Sequence, residues 1–325
     1  GMKRFAFTAL AGLMLAGSAS AQDTTLKMQT IEPSLGQAIT MATFANIVTD
    51  KLDDVSIEVA GGGAATLHQM ETARGNLDMY MISPTIHILM SNGAAMYKNE
   101  PEAPELAKNV QVLMWFPYGQ YHFAVRGDSD ITVLDDIEGA TVFLGPQGGG
   151  AYNAAKGWIE ATTGLVAGED YDAIKANWAT GFQSFLDGKV EMYVNGCIDP
   201  CQQFIQFTET ETVRFIGPED DQGEEVDKFL GKFRQRAEIP AGLYENQVND
   251  GPVMSNDTAV GIGVRADLDE ELVYRITKAF WENLGSITTD APWAKALSPD
   301  YAAQTLGTAT FHPGAARYYK EIGVQ

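Results

Sequence analysis

The chain has 325 residues, 43 of them acidic and 22 basic, for a net charge of −21, and only 2 are cysteine. At roughly 150 residues per domain the length suits two domains. An apolar fraction of 45% with 10% aromatics excludes a disordered chain and a disulfide-dense miniprotein. So acidic a surface also argues against nucleic acid and anionic lipid as partners, because both are held by Lys and Arg.

The first residues suggest an address. Gly1 ahead of Met2 reads as an expression remnant. Lys3 and Arg4 form a short basic region, residues 5–17 are apolar or small, and Ala19-Ser20-Ala21 supplies the small-x-small pattern of a cleavage site. Residues 1–21 are therefore expected to be a secretory signal peptide, removed after Ala21. The apolar stretch is too short to cross a bilayer core of about 30 Å, and no Cys at the cleavage site offers a lipid anchor. The expected product is periplasmic and unanchored, with 20 basic residues against 43 acidic ones, a charge of −23.

The body of the chain reads as α/β. Residues 26–30 suggest a strand, and residues 34–52 a helix with Leu35, Ala38, Ile39, Ala42, Ala45, Ile47 and Val48 on its apolar face. Ser34 is the expected N-cap. A strand at 55–60 ends in Gly61-Gly62-Gly63. A helix then runs to Arg74, Gly75 stops it, and a strand follows at 77–82. Strand, helix, strand with short links is the pattern of a parallel sheet. Downstream, a strand at 140–145 leads through Pro146-Gln147-Gly148-Gly149-Gly150 to a helix at 151–163, which Gly164 ends. A strand near 174–178, a short helix at 182–186 and a strand at 190–195 follow. Gly75-Asn76-Leu77-Asp78-Met79-Tyr80-Met81 parallels Gly188-Lys189-Val190-Glu191-Met192-Tyr193-Val194, which suggests two similarly built lobes.

The glycine-rich loops point to a ligand cleft. Without Cβ atoms the backbone approaches a ligand closely, and the helix that follows offers free N–H groups to an anion. Gly61, Gly62 and Gly63 on one lobe and Gly148, Gly149 and Gly150 on the other are candidate ligand contacts, with Tyr152 covering an apolar part of the ligand. At the carboxyl ends of strands, where open α/β sheets bind ligands, Ser83 and Thr85 are candidates in the first half and Asn195 and Cys197 in the second. Ser83 is equally readable as the N-cap of the next helix. Neither loop has nucleotide-binding spacing.

Nothing in the sequence assembles a catalytic site. His68, His87, His122 and His312 are scattered without metal-ligand spacing and read as surface or packing residues. The acidic run at 219–225 reads as a solvated loop. Cys197 and Cys201 enclose three residues, too many for a redox Cys-x-x-Cys. In an oxidising compartment they are a candidate disulfide, stiffening the turn after the strand at 190–195; free thiols are the other reading. With no His near them in sequence, a zinc site is not expected. No cofactor, metal or catalytic residue is expected.

Several segments together resemble the solute-binding subunits of tripartite ATP-independent periplasmic (TRAP) transporters, in the branch called TAXI. They are Ala60-Gly61-Gly62-Gly63, Arg74-Gly75-Asn76-Leu77-Asp78, residues 123–131, Leu134-Asp135-Asp136-Ile137-Glu138-Gly139, residues 145–150, Ile239-Pro240-Ala241-Gly242-Leu243-Tyr244, Val264-Arg265-Ala266-Asp267-Leu268 and residues 311–319. The resemblance implies a type II periplasmic-binding-protein fold, α/β, with two lobes joined by crossing connections. Residues 22–124 and 250–325 would form one lobe and residues 125–249 the other, with hinges near Val125 and Asn249. It also implies a small anionic solute (a glutamate-like amino acid, a dicarboxylate or a 2-oxoacid) handed to ion-driven TRAP membrane subunits. One departure stands out. The first loop, at 29–36, is shorter than is usual in that family and carries Glu32. Glu32 and Ser34 join the candidate contacts, with Glu32 expected to favour an amine or repel a second carboxylate. Two rival readings are a receptor that signals to a membrane sensor and, less favoured, an enzyme on the same fold.

Overall fold

A computed structural model describes residues 23–325, so the expected signal peptide lies outside the described residues. The first half runs β1 (Thr24–Gln29), α1 (Gly36–Lys51), β2 (Val55–Ala60), α2 (Ala65–Ala73), β3 (Met79–Ile82), α3 (Pro84–Ser91), α4 (Ala103–Leu106) and β4 (Val110–Pro117). β5 (Gln120–Arg126), β6 (Thr141–Phe143), α5 (Gly150–Thr163), β7 (Asp172–Ala173), α6 (Trp178–Leu186), β8 (Met192–Cys197), α7 (Gln202–Thr208) and β9 (Val213–Phe215) follow. The chain ends with α8 (Glu224–Leu230), β10 (Arg234–Ile239), β11 (Val253–Arg265), α9 (Glu270–Asn283), α10 (Pro299–Ala302) and α11 (Pro313–Glu321). Among the described residues no helix is long and apolar enough to cross a membrane.

The strands form two sheets. The first has the order β10-β11-β3-β1-β2, with β4 on β11, and the second has the order β7-β6-β8-β5-β9. β1 is parallel to β2 and β3, while the 13-residue β11 runs antiparallel to β3, β4 and β10. In the second sheet β6 is parallel to β7 and β8, and β5 is antiparallel to β8 and β9. The chain passes from the first sheet to the second at Tyr118 and Gly119, between the last β4 pairing and the first β5 pairing. Val125 therefore lies inside β5, and the Asn249 side chain is bonded to the Phe215 backbone of β9 at 3.0 and 2.7 Å. β10, within 125–249, pairs in the first sheet, and the residues of β5 before 125 pair in the second.

The two similar heptads perform the same local work. Gly75 and Gly188 have φ of +87° and +73° and end α2 and the turn after α6 with the same paired bonds. Gly75 N–H donates to Thr72 O and Asn76 N–H to Glu71 O; Gly188 N–H donates to Phe185 O and Lys189 N–H to Ser184 O. This is the Schellman closure, in which glycine supplies the left-handed residue. The acid three residues on then clips the neighbouring parallel strand. Asp78 takes Lys27 N–H at 2.8 Å, and Glu191 takes Thr141 N–H at 2.9 Å. The Met-Tyr pair that follows is buried at the start of β3 and of β8.

Several local expectations change. The N-cap position of α1 is Leu35, which offers no side-chain bond; Ser34 stands one residue outside and is exposed. The strand expected near 174–178 is only Asp172–Ala173, because the Asn177 side chain takes Thr180 N–H at 2.8 Å and starts α6 at Trp178. Part of the acidic run opens α8, where Glu224, Glu225 and Asp227 meet the positive end of the helix dipole. All four histidines are buried.

Candidate functional site

The start of α1, on the first sheet, abuts the end of β8, on the second. A Cβ added at Gly36 would lie 2.8 Å from Cys197 Cβ. Buried Gln37 bridges the two sheets, its amide donating to Tyr118 O at 2.7 Å and to Gly196 O at 2.9 Å. Two further bonds hold the junction. Asp257 Oδ1 accepts Gly119 N–H at 2.8 Å, and the Ser255 hydroxyl donates to Tyr121 O at 2.5 Å. Gly119, at φ +110°, fits because it has no side chain; a Cβ there would stand 1.8 Å from the Cys197 carbonyl carbon.

Beside this junction lies a cavity of about 190 Å³. Ser34, Gly36, Ile39 and Thr40 line it from the first sheet's side, and Asn195 and the segment 197–205 from the second. Asp290 and, from the 3₁₀ turn Pro292–Ala296 just after it, Pro292 and Trp293 complete it. A neighbouring space of about 360 Å³ shares Ile198, Pro292 and Trp293 with it and is lined by Asp199, Asp257 and Lys295. Burial pushes the carboxyl of Asp199 up from its usual range, and that of Asp257 up to about 6.

The polar groups of the cavity are placed by their neighbours. Gln203 Oε1 accepts the Tyr193 hydroxyl and the Asn195 amide, each at 2.6 Å. Both of its lone pairs are thereby used, and its own amide N–H groups have no protein partner among the described residues. Asn195 is 3% exposed, yet its Oδ1 has no hydrogen-bond partner. A buried acceptor left open in this way costs about 1–3 kcal/mol unless something donates to it. On the opposite wall, α1 has no side-chain cap, and among the described residues the N–H groups of Gly36, Gln37 and Ala38 find no acceptor. Sixteen residues of aligned peptide dipoles end there. No Lys or Arg lines the cavity.

Cys197 and Cys201 are joined as a disulfide with Cα atoms 5.7 Å apart, and both line the cavity. His122, remote in sequence, brings its ring within 3.7 Å of Cys201 Sγ, so three potential metal ligands cluster here. Their bonds are already committed. His122 Nδ1 donates to Gln120 O at 2.7 Å, Nε2 accepts the Tyr244 hydroxyl at 3.0 Å, and that oxygen accepts Cys201 N–H at 2.7 Å. The sulfurs are bonded to each other. Burial holds the His122 ring neutral, lowering its pKa to about 4. The cluster reads as packing that seats the turn after β8.

Of the residues singled out from sequence, the structure gathers Ser34, Asn195 and Cys197 around the cavity. Glu32 is exposed two residues before Ser34, and its carbonyl accepts Leu35 N–H at 3.0 Å. Gly61 packs on that same loop, where a Cβ would stand 2.4 Å from Pro33 Cγ, and Gly62 N–H bonds to Thr30 O and Ile31 O at 3.1 Å. Gly63 lies against His68. Ser83 caps α3 through Ile86 N–H, and Thr85 is exposed on the first turn of α3. Gly148, Gly149, Gly150 and Tyr152 form the start of α5. None of these ten lines the cavity. Gln37, Gln203, Asp290 and Trp293 were not singled out from sequence. Gln203 and Trp293 have no local pattern to mark them, whereas Gln37 is a polar residue on the buried side of an otherwise apolar helix face.

A model of the NMT1-like family matches residues 34–323. The chain belongs to the NMT1-like family. Among solved structures, a protein of Bordetella bronchiseptica RB50 is similar at 13% identity and TM-score 0.50, covering 92% of this chain and 81% of that one. The alkanesulfonate-binding protein SsuA from Xanthomonas axonopodis pv. citri, bound to MOPS, aligns at 11% identity and TM-score 0.48, over 93% of this chain and 85% of that one. A TRAP periplasmic solute-binding protein from Roseobacter denitrificans OCh 114, with bound L-galactonate, aligns at 12% identity and TM-score 0.44, over 93% and 94%. The NMT1-like chain has an α/β fold of two helix-flanked sheets.

Proposed function

We propose that this NMT1-like chain is a periplasmic solute receptor. It takes a small carboxylate-bearing solute between its two sheets and delivers it to a transporter in the membrane, without transforming it. The observation that carries this reading is the cavity lined both by the uncapped start of α1 and by Asn195, whose buried Oδ1 has no partner, one contributed from each sheet's side. A solute touching both walls favours the arrangement in which they are close, and this differential affinity is what moves an open–closed equilibrium. The structurally similar sulfonate-binding and TRAP proteins bear names of the same class. Within that class we place the chain with the TAXI-type subunits of TRAP transporters, on the sequence segments described above. The lobes would follow the expected 22–124 with 250–325 and 125–249, except that the chain changes sheet already at Tyr118 and Gly119 and β10 goes with the first sheet. The loop 61–63 would flank the cavity through its packing on 31–33, with Ser83, Thr85 and the 148–152 segment facing the wider cleft.

The test is the melting temperature against a panel of amino acids, carboxylates and sulfonates. At least one small solute is expected to raise it, and Asn195→Ala to abolish the rise while the unliganded protein keeps its circular dichroism spectrum. No stabilisation by any member of the panel would sink the receptor reading.

A further inference from the structure

The chemistry of the cavity wall narrows the solute. We infer that it is a small zwitterion with one carboxylate, one protonated amine and an apolar body, of the neutral amino-acid type, and neither a dicarboxylate nor an acidic amino acid. The inference rests on the receptor reading and deepens it.

Three observations carry it. Two sets of free N–H donors stand on the wall among the described residues, the start of α1 and the Gln203 amide, and of these α1 alone brings the positive end of a helix dipole, which suits a single carboxylate. A second carboxylate would need a second partner, and no Lys or Arg lines the cavity. Two further groups on the wall are acceptors. Asn195 Oδ1 is buried without a donor, and Asp290 lines the same space with no ion pair among the described residues. Acceptor and carboxylate together suit an ammonium, which brings three N–H donors and a positive charge. The Asn195 orientation is fixed by its bond to Gln203 Oε1, which also takes the Tyr193 hydroxyl.

Size and the remaining lining agree. Ile39, Ile198, Ile205, Trp293 and the disulfide supply apolar surface, and about 190 Å³ is below the roughly 300 Å³ at which pockets for drug-sized ligands begin. An acidic chain lowers the local potential for anions, so a solute with no net charge also avoids the unfavourable field of 43 acidic against 22 basic residues.

Calorimetric titration of the purified protein with L-leucine, 4-methylpentanoate (the same skeleton without the amine), L-glutamate and succinate tests this. Leucine is expected to bind at least about tenfold tighter than each of the other three, the span of a hydrogen-bonded charge contact. Asp290→Asn is expected to bring the leucine to 4-methylpentanoate ratio towards one. Asp290 is exposed, so the variant should fold, and an unchanged melting temperature without ligand checks that it does. Tighter binding of glutamate, succinate or 4-methylpentanoate would overturn the zwitterion and leave the receptor reading standing. Binding of no small solute would overturn both.

Discussion

Asp257 carries a cost that pH can switch. It is 6% exposed, and its Oδ1 accepts the N–H groups of Gly119 and Thr258 at 2.8 and 2.6 Å. Burial nonetheless dominates and raises its pKa to about 6, with the charge of Asp199 adding to the rise and Arg234 opposing it. A carboxyl raised above its unfolded value stabilises the fold when protonated. That contribution is present below about pH 4 and lost as pH rises through 6, a swing of about 3 kcal/mol at 1.36 kcal/mol per pKa unit. Asp257→Asn keeps an acceptor for both N–H groups. It should therefore be more stable than the parent protein at pH 8 by up to that amount, with the difference vanishing near pH 4 in urea titrations. Gly36 is a second single-residue test. Ala there would place a methyl 2.8 Å from Cys197 Cβ and force α1 away from β8. Solute affinity should fall about tenfold or more while stability changes by less than about 1 kcal/mol, because the site gains helix propensity as it loses fit.

The repeated helix–glycine–strand unit makes a prediction at the scale of elements. At Gly75 and Gly188 a Cβ would meet nothing within 4 Å, so alanine there introduces only the strain of a left-handed backbone, about 1–2 kcal/mol. Denaturant melts of Gly75→Ala and Gly188→Ala should show similar losses, and the double variant should show their sum, since the two sites share no partner. A loss at only one would mean that the heptads do not do the same work. This unit was legible in the sequence because its signal is local: a helix end, a glycine and an acid beside an apolar strand. That Asn195 and Cys197 stand at a strand's carboxyl end was legible for the same reason, and the structure places both on the cavity wall. The far wall of the cavity was not. Asp290 and Trp293 reach it only because the turn at 292–296 packs against the residues after β8, roughly a hundred positions earlier, and no short-range pattern encodes such a contact. Glycine misled in part for a physical reason as well. A glycine needed for close backbone approach looks the same whether the approaching group is a ligand or, as at Gly61, the ring of Pro33.

Across the whole molecule the four buried histidines work against acid stability. Burial lowers the pKa of His68, His87, His122 and His312, that of His122 to about 4. A histidine depressed below its unfolded value stabilises the fold when neutral, and this contribution is lost as pH falls from 6.5 towards the folded value. For His122 alone it amounts to about 3 kcal/mol. Between pH 6 and 4 this loss opposes the gain from Asp257, so it is read by difference: chemical denaturation should show His122→Gln gaining on the parent protein by up to that amount as pH falls across the range. The receptor account itself depends on where a solute sits between the two sheets. A crystal structure of the protein with whichever solute raises its melting temperature most would decide it. The account predicts ligand density between Gly36 and Asn195, with a carboxylate within about 3 Å of the first N–H groups of α1 and an amine against Asn195 Oδ1 and Asp290. Density confined to another place, such as the loop 148–150 at the start of α5, with Trp293 filling the cavity, would contradict it.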